Sequence, residues 1–409
     1  MKEKVRLGII GCGGRGVGVM KLVLIPMMKD DVIISGLCDT HEDRMEKAAQ
    51  MVVDAGGERP KCSLDYHDIL NMDEVDAILV MTGWEEHVMI SVDAMLAGKP
   101  VAMEVGGAYS LEECWRLVRT SEMTGIPCMM LENCCYGQRE TMALNMAKKG
   151  FFGDIVYCEG GYCHDLRMMW TEDRRFDHYR PYNYERNCDN YPTHELGPIA
   201  KILNINNGNR MLTLTSMASS AKGARQYILD QKGPEDPMMT TPIRLGDIIK
   251  TEIKCAGGEL ITLTLDTTLP RHYSRNFTVR GTKAGYWEMN DSIFLEGDEH
   301  KKGKDTWGTA EKYVEEWQHP MWKDYVPTGG HDGMDWMVCR AFIEAVKAGV
   351  QTPIDVYDTA SWMCISALSE QSIAMGGAPQ AIPDFTNGRW IKRLDIVDQP
   401  YGLNSIYEK

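Results

Sequence analysis

The sequence predicts an α/β protein in two parts: a doubly wound parallel sheet, then an α+β region whose sheet is mostly antiparallel and open on one face. Three observations predict it. Apolar β-type runs alternate with helical segments up to Leu131, the rhythm of a parallel sheet with crossover helices. The first run leads directly into a glycine-rich turn. Beyond Leu131 the rhythm stops, and glycine-rich aromatic segments and short β-type runs take over. At 409 residues the chain exceeds one ordinary core, so a division into 1–133 and 134–409 is expected.

The first strand is the apolar run Val5–Ile10, and Gly11-Cys12-Gly13-Gly14-Arg15-Gly16 follows at once, opening a helical segment through Val19, Met20 and Leu24. Between a strand and a helix, the spaced glycines have separate jobs. Gly11 makes the tight turn, Gly13 lets a pyrophosphate approach the backbone, and Gly16 lets the helix pack on the strand. The helix N-terminus then offers free N–H groups to phosphate. This is the fingerprint of a Rossmann dinucleotide-binding domain. A second strand over 32–37 ends in Cys38-Asp39. Asp39 stands where a carboxylate accepts hydrogen bonds from the adenosine ribose, and its charge repels a 2′-phosphate, so NAD is expected over NADP. Its other reading is a cap on the helix that begins near His41.

Strands over 75–81, 101–104 and 127–131 and helices over 91–97 and 111–122 continue the pattern. Ligands bind such sheets at the carboxyl ends of the strands, where residues 82–87, Glu104-Val105 and Asn133 fall. In the second part, β-type runs over 212–216, 249–255, 260–265 and 276–280 precede a helix, Met334–Ala348, and an extended tail. An open sheet face of this kind commonly serves as a dimer surface, so a homo-oligomer through the C-terminal sheet is expected.

Composition narrows the partners. A formal net charge of −15 argues against nucleic acid and anionic membranes, leaving a small-molecule substrate. No run of about 18 apolar residues occurs, and the opening MKEKVRLGII reads as strand, without the regions of a signal peptide. The 13 cysteines form no CxxC pair, as expected of reduced thiols in a cytoplasmic protein. The alternative is an exported protein whose signal has been removed.

The motifs GCGGRG, WEEH, EVGGA, ENCCYG, GGYCHDLR, NYPTHELGP, PRHYSR and GGHDGMD occur in this order along nearly the whole chain. Their layout resembles the glucose–fructose oxidoreductase/inositol dehydrogenase family, and most closely its glycoside hydrolase family 109 branch, the NAD-dependent α-N-acetylgalactosaminidase-like enzymes. Dehydrogenases of the parent family usually carry Glu-Lys-Pro after the fourth strand, with the lysine in proton transfer. Here the segment is Glu104-Val105-Gly106, similar to the lysine-free glycosidase branch. The resemblance implies NAD contacts at Arg15, Gly16, Asp39, Trp84, Glu85, Glu86, His87, Glu104, Val105 and Asn133. It implies sugar contacts at Tyr162, at Tyr191, Pro192, Thr193 and His194, and at Tyr273, with Arg186 or Arg180 as an upstream arginine. The family motif reads YPTHGLGP, whereas this chain carries Glu195 in place of the glycine.

The expected chemistry follows from these groups. No convincing pair of carboxyls flanks a scissile bond, as a conventional glycosidase needs. NAD, tyrosines and a histidine instead suit oxidation and elimination: transient oxidation at sugar C3, loss of the C2 proton, departure of the C1 substituent, water addition and re-reduction. His194 is the natural partner of the C3 hydroxyl, because imidazole titrates nearest to working pH. Tyr191 and Tyr273 are either proton-transfer groups or sugar-binding hydroxyls. Tyr162 and His164 read as pocket lining, and His331 as a site residue or a cap for the helix near Met334. No metal is expected: His194-Glu195 lacks the second histidine of HExxH, and Pro198 is expected to break the helix. The competing functions are a sugar or polyol dehydrogenase and a non-catalytic NAD sensor.

Overall fold

The computed structural model describes residues 3–172, 185–297, 307–323, 325 and 328–406. Six parallel strands form the first sheet: β1 (Val5–Ile10), β2 (Val32–Cys38), β3 (Lys61–Ser63), β4 (Ala77–Val80), β5 (Val101–Met103) and β6 (Cys128–Met130). Their order is β3-β2-β1-β4-β5-β6. Helices cover both faces, so Val5, Leu7 and Ile9 on β1 and all four residues of β4 are buried. That is why these strands read as unbroken apolar runs rather than as alternations. The order reverses between β1 and β4, which places a crevice outside their carboxyl ends.

Helix α1 (Gly14–Val19) begins in the glycine turn and continues through a π-helical turn, Met20–Leu24. Helix α2 spans Trp84–Leu96 and starts seven residues before the expected 91. The sequence hid this start because its N-cap, Gly83, offers no side chain. Helix α3 (Leu111–Thr124) carries a capping box of Ser110 and Glu113 and stops at left-handed Gly125, the start and stop chemistry that makes such a helix legible.

The second sheet has eight strands in the order β13-β12-β11-β7-β10-β9-β8-β14. They are β7 (Ile155–Cys163), β8 (Met211–Ala218), β9 (Ile248–Cys255), β10 (Leu260–Asp266), β11 (Thr278–Gly281), β12 (Ala284–Trp287), β13 (Ser292–Leu295) and β14 (Gln380–Ala381). All neighbours are antiparallel except β7 and β10. Strand β7 is central yet went unpredicted, because Gly160-Gly161 reads as loop. These glycines are there for close approach: a Cβ at Gly161 would stand 2.2 Å from the Thr264 carbonyl oxygen.

Two expectations about helices are corrected. Helix α4 (Thr193–Ile202) runs through Pro198 instead of breaking there. The proline forgoes one hydrogen bond, but Glu195 to Ile202 are all buried, and that packing holds the helix. The C-terminal region is not simply an extended tail. Beyond α5 (Met334–Ala348), helix α6 (Val356–Ala374) runs through the core, capped by Asp355 and Asp358.

All 13 cysteines are unpaired. Among the described residues no helix is long and apolar enough to cross a membrane.

One buried group makes folding pH-dependent. His319 is fully buried, and burial depresses its pKa to about 4, with Lys149 adding to the effect. The unfolded imidazole titrates near 6.5, so between these values the unfolded chain binds the extra proton. Stability is therefore intact above the unfolded pKa and falls as pH drops through this window. Between pH 7 and pH 5 the loss from His319 alone is about 2 kcal/mol. His319→Asn keeps an acceptor for the Met321 amide. Urea titrations of this variant should show a smaller stability difference between the two pH values than the wild type, by that amount. Equal differences would contradict the assignment.

Candidate active site

A cleft of about 1260 Å³ runs from the glycine turn to the edge of the second sheet. Its floor is the glycine turn, and the three glycines separate as their spacing predicts. Gly11 has φ +102°, and a Cβ there would lie 2.5 Å from the Met81 backbone. At Gly16 a Cβ would lie 2.1 Å from the Gly11 carbonyl oxygen. At Gly13 a Cβ would meet nothing within 4 Å. Here the backbone borders open space, the cradle that a pyrophosphate needs.

Asp39 lines the same end. Its carboxylate accepts from the Cys12 amide at 2.7 Å and the His41 amide at 2.8 Å. Asp39 thus ties the ends of β1 and β2 together and borders the cleft, and it does not cap the following helix, Glu42–Asp54, whose N-cap is His41 without a side-chain cap bond.

At the other end, Trp84 in the first turn of α2 sits 5.5 Å from the Tyr191 ring. Tyr191 stacks on Tyr162 at 4.2 Å, and both stand edge-on to His194, at 4.8 and 5.3 Å. The Tyr162 hydroxyl pairs with His164 Nδ1 at 3.0 Å. Burial lowers the His164 pKa, so this imidazole is neutral and can pair with the Tyr162 hydroxyl. Tyr273, half-exposed, packs edge-on to His164 at 5.1 Å.

His194 lies in the first turn of α4, and its Nδ1 is 2.8 Å from Oε1 of Glu132. Glu132 is fully buried. Burial alone would raise its pKa, but the charge and hydrogen bond of His194 outweigh it and hold the carboxyl below its usual range. A carboxylate on Nδ1 keeps the proton there and leaves Nε2 as the basic nitrogen.

A second charged group ties α1 to α5. Arg15 bonds Glu104 at 2.8 Å and Asp335 at 2.7 and 3.0 Å. Asp335 also accepts from Asn133 at 2.8 Å and faces His331 Nδ1 at 2.9 Å. Against the pull of burial, bonds from His331 and Arg15 hold the Asp335 carboxyl far below its usual range.

Residues 5–131 match the family described as oxidoreductase family, NAD-binding Rossmann fold. Residues 136–392 match glycosyl hydrolase 109, C-terminal domain. The chain belongs to glycosyl hydrolase family 109. A family 109 protein of Stenotrophomonas maltophilia is 37% identical, over 96% of this chain and 92% of that one. A protein of Tannerella forsythia named alpha-N-acetylgalactosaminidase is 37% identical, over 95% and 88%. The fold is shared with levoglucosan dehydrogenase in complex with NADH and levoglucosan, at a TM-score of 0.70 and 17% identity, covering 93% of this chain and all of that one. It is also shared with an inositol dehydrogenase homologue of Azotobacter vinelandii, at 0.66 and 15%, covering 93% and 98%.

In this family 109 chain, Gly11, Gly13, Arg15, Asp39, Trp84, Glu86, Glu104, Val105, Asn133, Tyr162, Tyr191, His194 and His331 all line the cleft. Other expected residues stand elsewhere. Glu85 accepts from the Tyr109 hydroxyl, and His87 is buried with Nε2 on the Thr82 carbonyl, because α2 has turned them away by its first turn. Pro192 and Thr193 are buried at the start of α4. Arg186 is held by Glu370 at 2.7 Å and the Ala108 carbonyl at 3.2 Å, with its guanidinium over the Tyr109 ring. The other candidate, Arg180, lies outside the described residues.

The departure at position 195 is absorbed beneath the site. The Glu195 carboxylate is buried 3.3 Å from Arg275, which also pairs with Glu140 at 2.6 Å. Gly160 makes the room, since a Cβ there would stand 2.3 Å from that of Glu195. Burial raises the Glu195 pKa well above normal against the pull of Arg275.

Proposed function

We propose that this family 109 member is an NAD-dependent glycosidase that cleaves an N-acetylgalactosaminide-like hexoside through a transient C3 ketone. The observation that carries the reading is the His194–Glu132 pair, set within stacked tyrosines at the end of a dinucleotide cleft. The names of the relatives support the substrate class.

The residues fit the dinucleotide. The turn at Gly13 would hold the pyrophosphate and Asp39 the adenosine ribose, while Glu104, Val105 and Asn133 border the far end. When bound, NAD supplies a hydride acceptor for C3 and returns the hydride at the end of the cycle.

His194 takes the C3 hydroxyl proton on Nε2, with Glu132 fixing the tautomer and stabilising the imidazolium that forms. The ketone acidifies the C2 proton. Tyr162 removes it, since its hydroxyl already pairs with a neutral imidazole, His164. Tyr191 and Tyr273 hold sugar hydroxyls. Burial raises the Tyr273 phenol against the pull of Arg275, so it stays protonated and donates. Trp84 and Tyr191, their rings tilted by 47°, together present an angled aromatic wall to the sugar. Assembly as a homo-oligomer through the second sheet belongs to the same proposal.

The test is incubation of purified protein with nitrophenyl glycosides and no added NAD. Nitrophenol release from the N-acetyl-α-galactosaminide without net NADH is the expected result. Steady NADH release with no cleavage would overturn the reading in favour of a sugar dehydrogenase.

A further inference from the structure

Three donors of different chemistry converge at the base of the aromatic wall: a Glu132 carboxylate oxygen, the Cys134 thiol and a His194 ring nitrogen, all within 4.8 Å of one another. They come from two elements. Glu132 and Cys134 flank one residue in the turn after β6, and the Cys134 amide donates to Glu132 Oε1 at 3.1 Å, folding that turn back on itself. His194 reaches the same carboxylate from α4. We propose that these residues bind a thiophilic divalent cation of the Zn²⁺ class, which inhibits the enzyme by drawing His194 out of its hydrogen bond with Glu132.

The donor set selects the ion. One sulfur, one nitrogen and one oxygen suit borderline-soft Zn²⁺ or its softer analogue Cd²⁺, whereas Mg²⁺ and Ca²⁺ take oxygen ligands. Tetrahedral Zn²⁺ places its ligands roughly 3.5 Å apart, so side chains already within 4.8 Å need only small rotations. Three protein ligands leave one position of the tetrahedral shell for a further ligand such as water. Binding forms three coordination bonds and breaks the His194–Glu132 hydrogen bond. The Cys134 thiol proton goes to solvent, and the His194 Nδ1 proton moves to Nε2. With Nε2 protonated, His194 no longer serves as a base.

The inhibitory consequence rests on the proposed role of His194, but binding itself does not, so two readouts separate them. Chelator-treated holoenzyme titrated with Cd²⁺ should develop thiolate-to-metal charge-transfer absorption that saturates at one ion per chain. Titrated with Zn²⁺, it should lose glycosidase activity in parallel and regain it on adding chelator. Cys134→Ser should retain activity without metal, lack the absorption band, and need roughly tenfold more Zn²⁺ for the same inhibition. Should the serine variant fail to fold, Cys134→Ala carries the same expectations. A band with no glycosidase activity in any condition would support the site while sinking the functional reading. Absence of the band in the wild type, or equal inhibition of the wild type and the Cys134 variant, would overturn the site.

Discussion

Replacing His194 by Ala should lower glycoside cleavage by about 10²- to 10⁴-fold, the range of a positioned acid–base group. His194 is also the partner of the fully buried Glu132 carboxylate, so the alanine variant should lose some stability as well, and activity is compared at a temperature where melts show it folded. Glu132→Gln separates positioning from chemistry. It removes the charge that fixes the His194 tautomer while keeping the shape of the side chain, and it should give an intermediate loss with normal NAD content. If His194→Ala cleaves at the wild-type rate, the assignment is wrong. Activity lost from a variant that is still folded and NAD-loaded supports the chemical role.

The glycine turn gives the second large effect, as a contrast between two methyl groups. At Gly16 an added methyl meets the Gly11 carbonyl oxygen at 2.1 Å. Backbone cannot move aside cheaply, so Gly16→Ala should destabilise the first domain by about 1–3 kcal/mol or more. Gly13 has φ −74°, which any residue adopts, and open space beyond it. Gly13→Ala should therefore melt like the wild type once both are stripped of cofactor. Its methyl would occupy the volume the pyrophosphate needs, so NAD should be retained at least about tenfold less tightly, a loss of about 1.4 kcal/mol. Assay of NAD released on denaturation, beside thermal melts, measures both. Full NAD content in Gly13→Ala would mean the phosphates lie elsewhere.

The first domain was legible because its signals are local. A strand, a glycine turn and a helix follow each other within 20 residues, and the turn chemistry of Gly11, Gly13 and Gly16 leaves few alternatives. Helix α6 was missed for the opposite reason. It is buried on every side, with Ser361, Ser366, Ser369 and Ser372 among its covered residues, so it shows no apolar stripe to read. The site residues divide the same way. His194 and the tyrosines stood out as reactive side chains in dense motifs. Glu132 and Asp335, the carboxylates that orient His194 and Arg15, sit at the ends of the ENCCYG and GGHDGMD motifs. Their partners lie 62 and 320 residues away, and only the fold brings such pairs together. Arg186 shows the converse: the family resemblance offered it, or Arg180, as a sugar contact, but Glu370, 184 residues away, holds it.

The path of the reaction is the claim on which the account turns. Elimination through a C3 ketone requires the C2 proton to leave and be replaced, while direct displacement at C1 never touches it. Cleavage should therefore be run in deuterated water and the released sugar examined by NMR or mass spectrometry. The account predicts deuterium at C2 with no net NADH, through exchange of the Tyr162–His164 proton with solvent. Product with only protium at C2, formed at a normal rate, would contradict it.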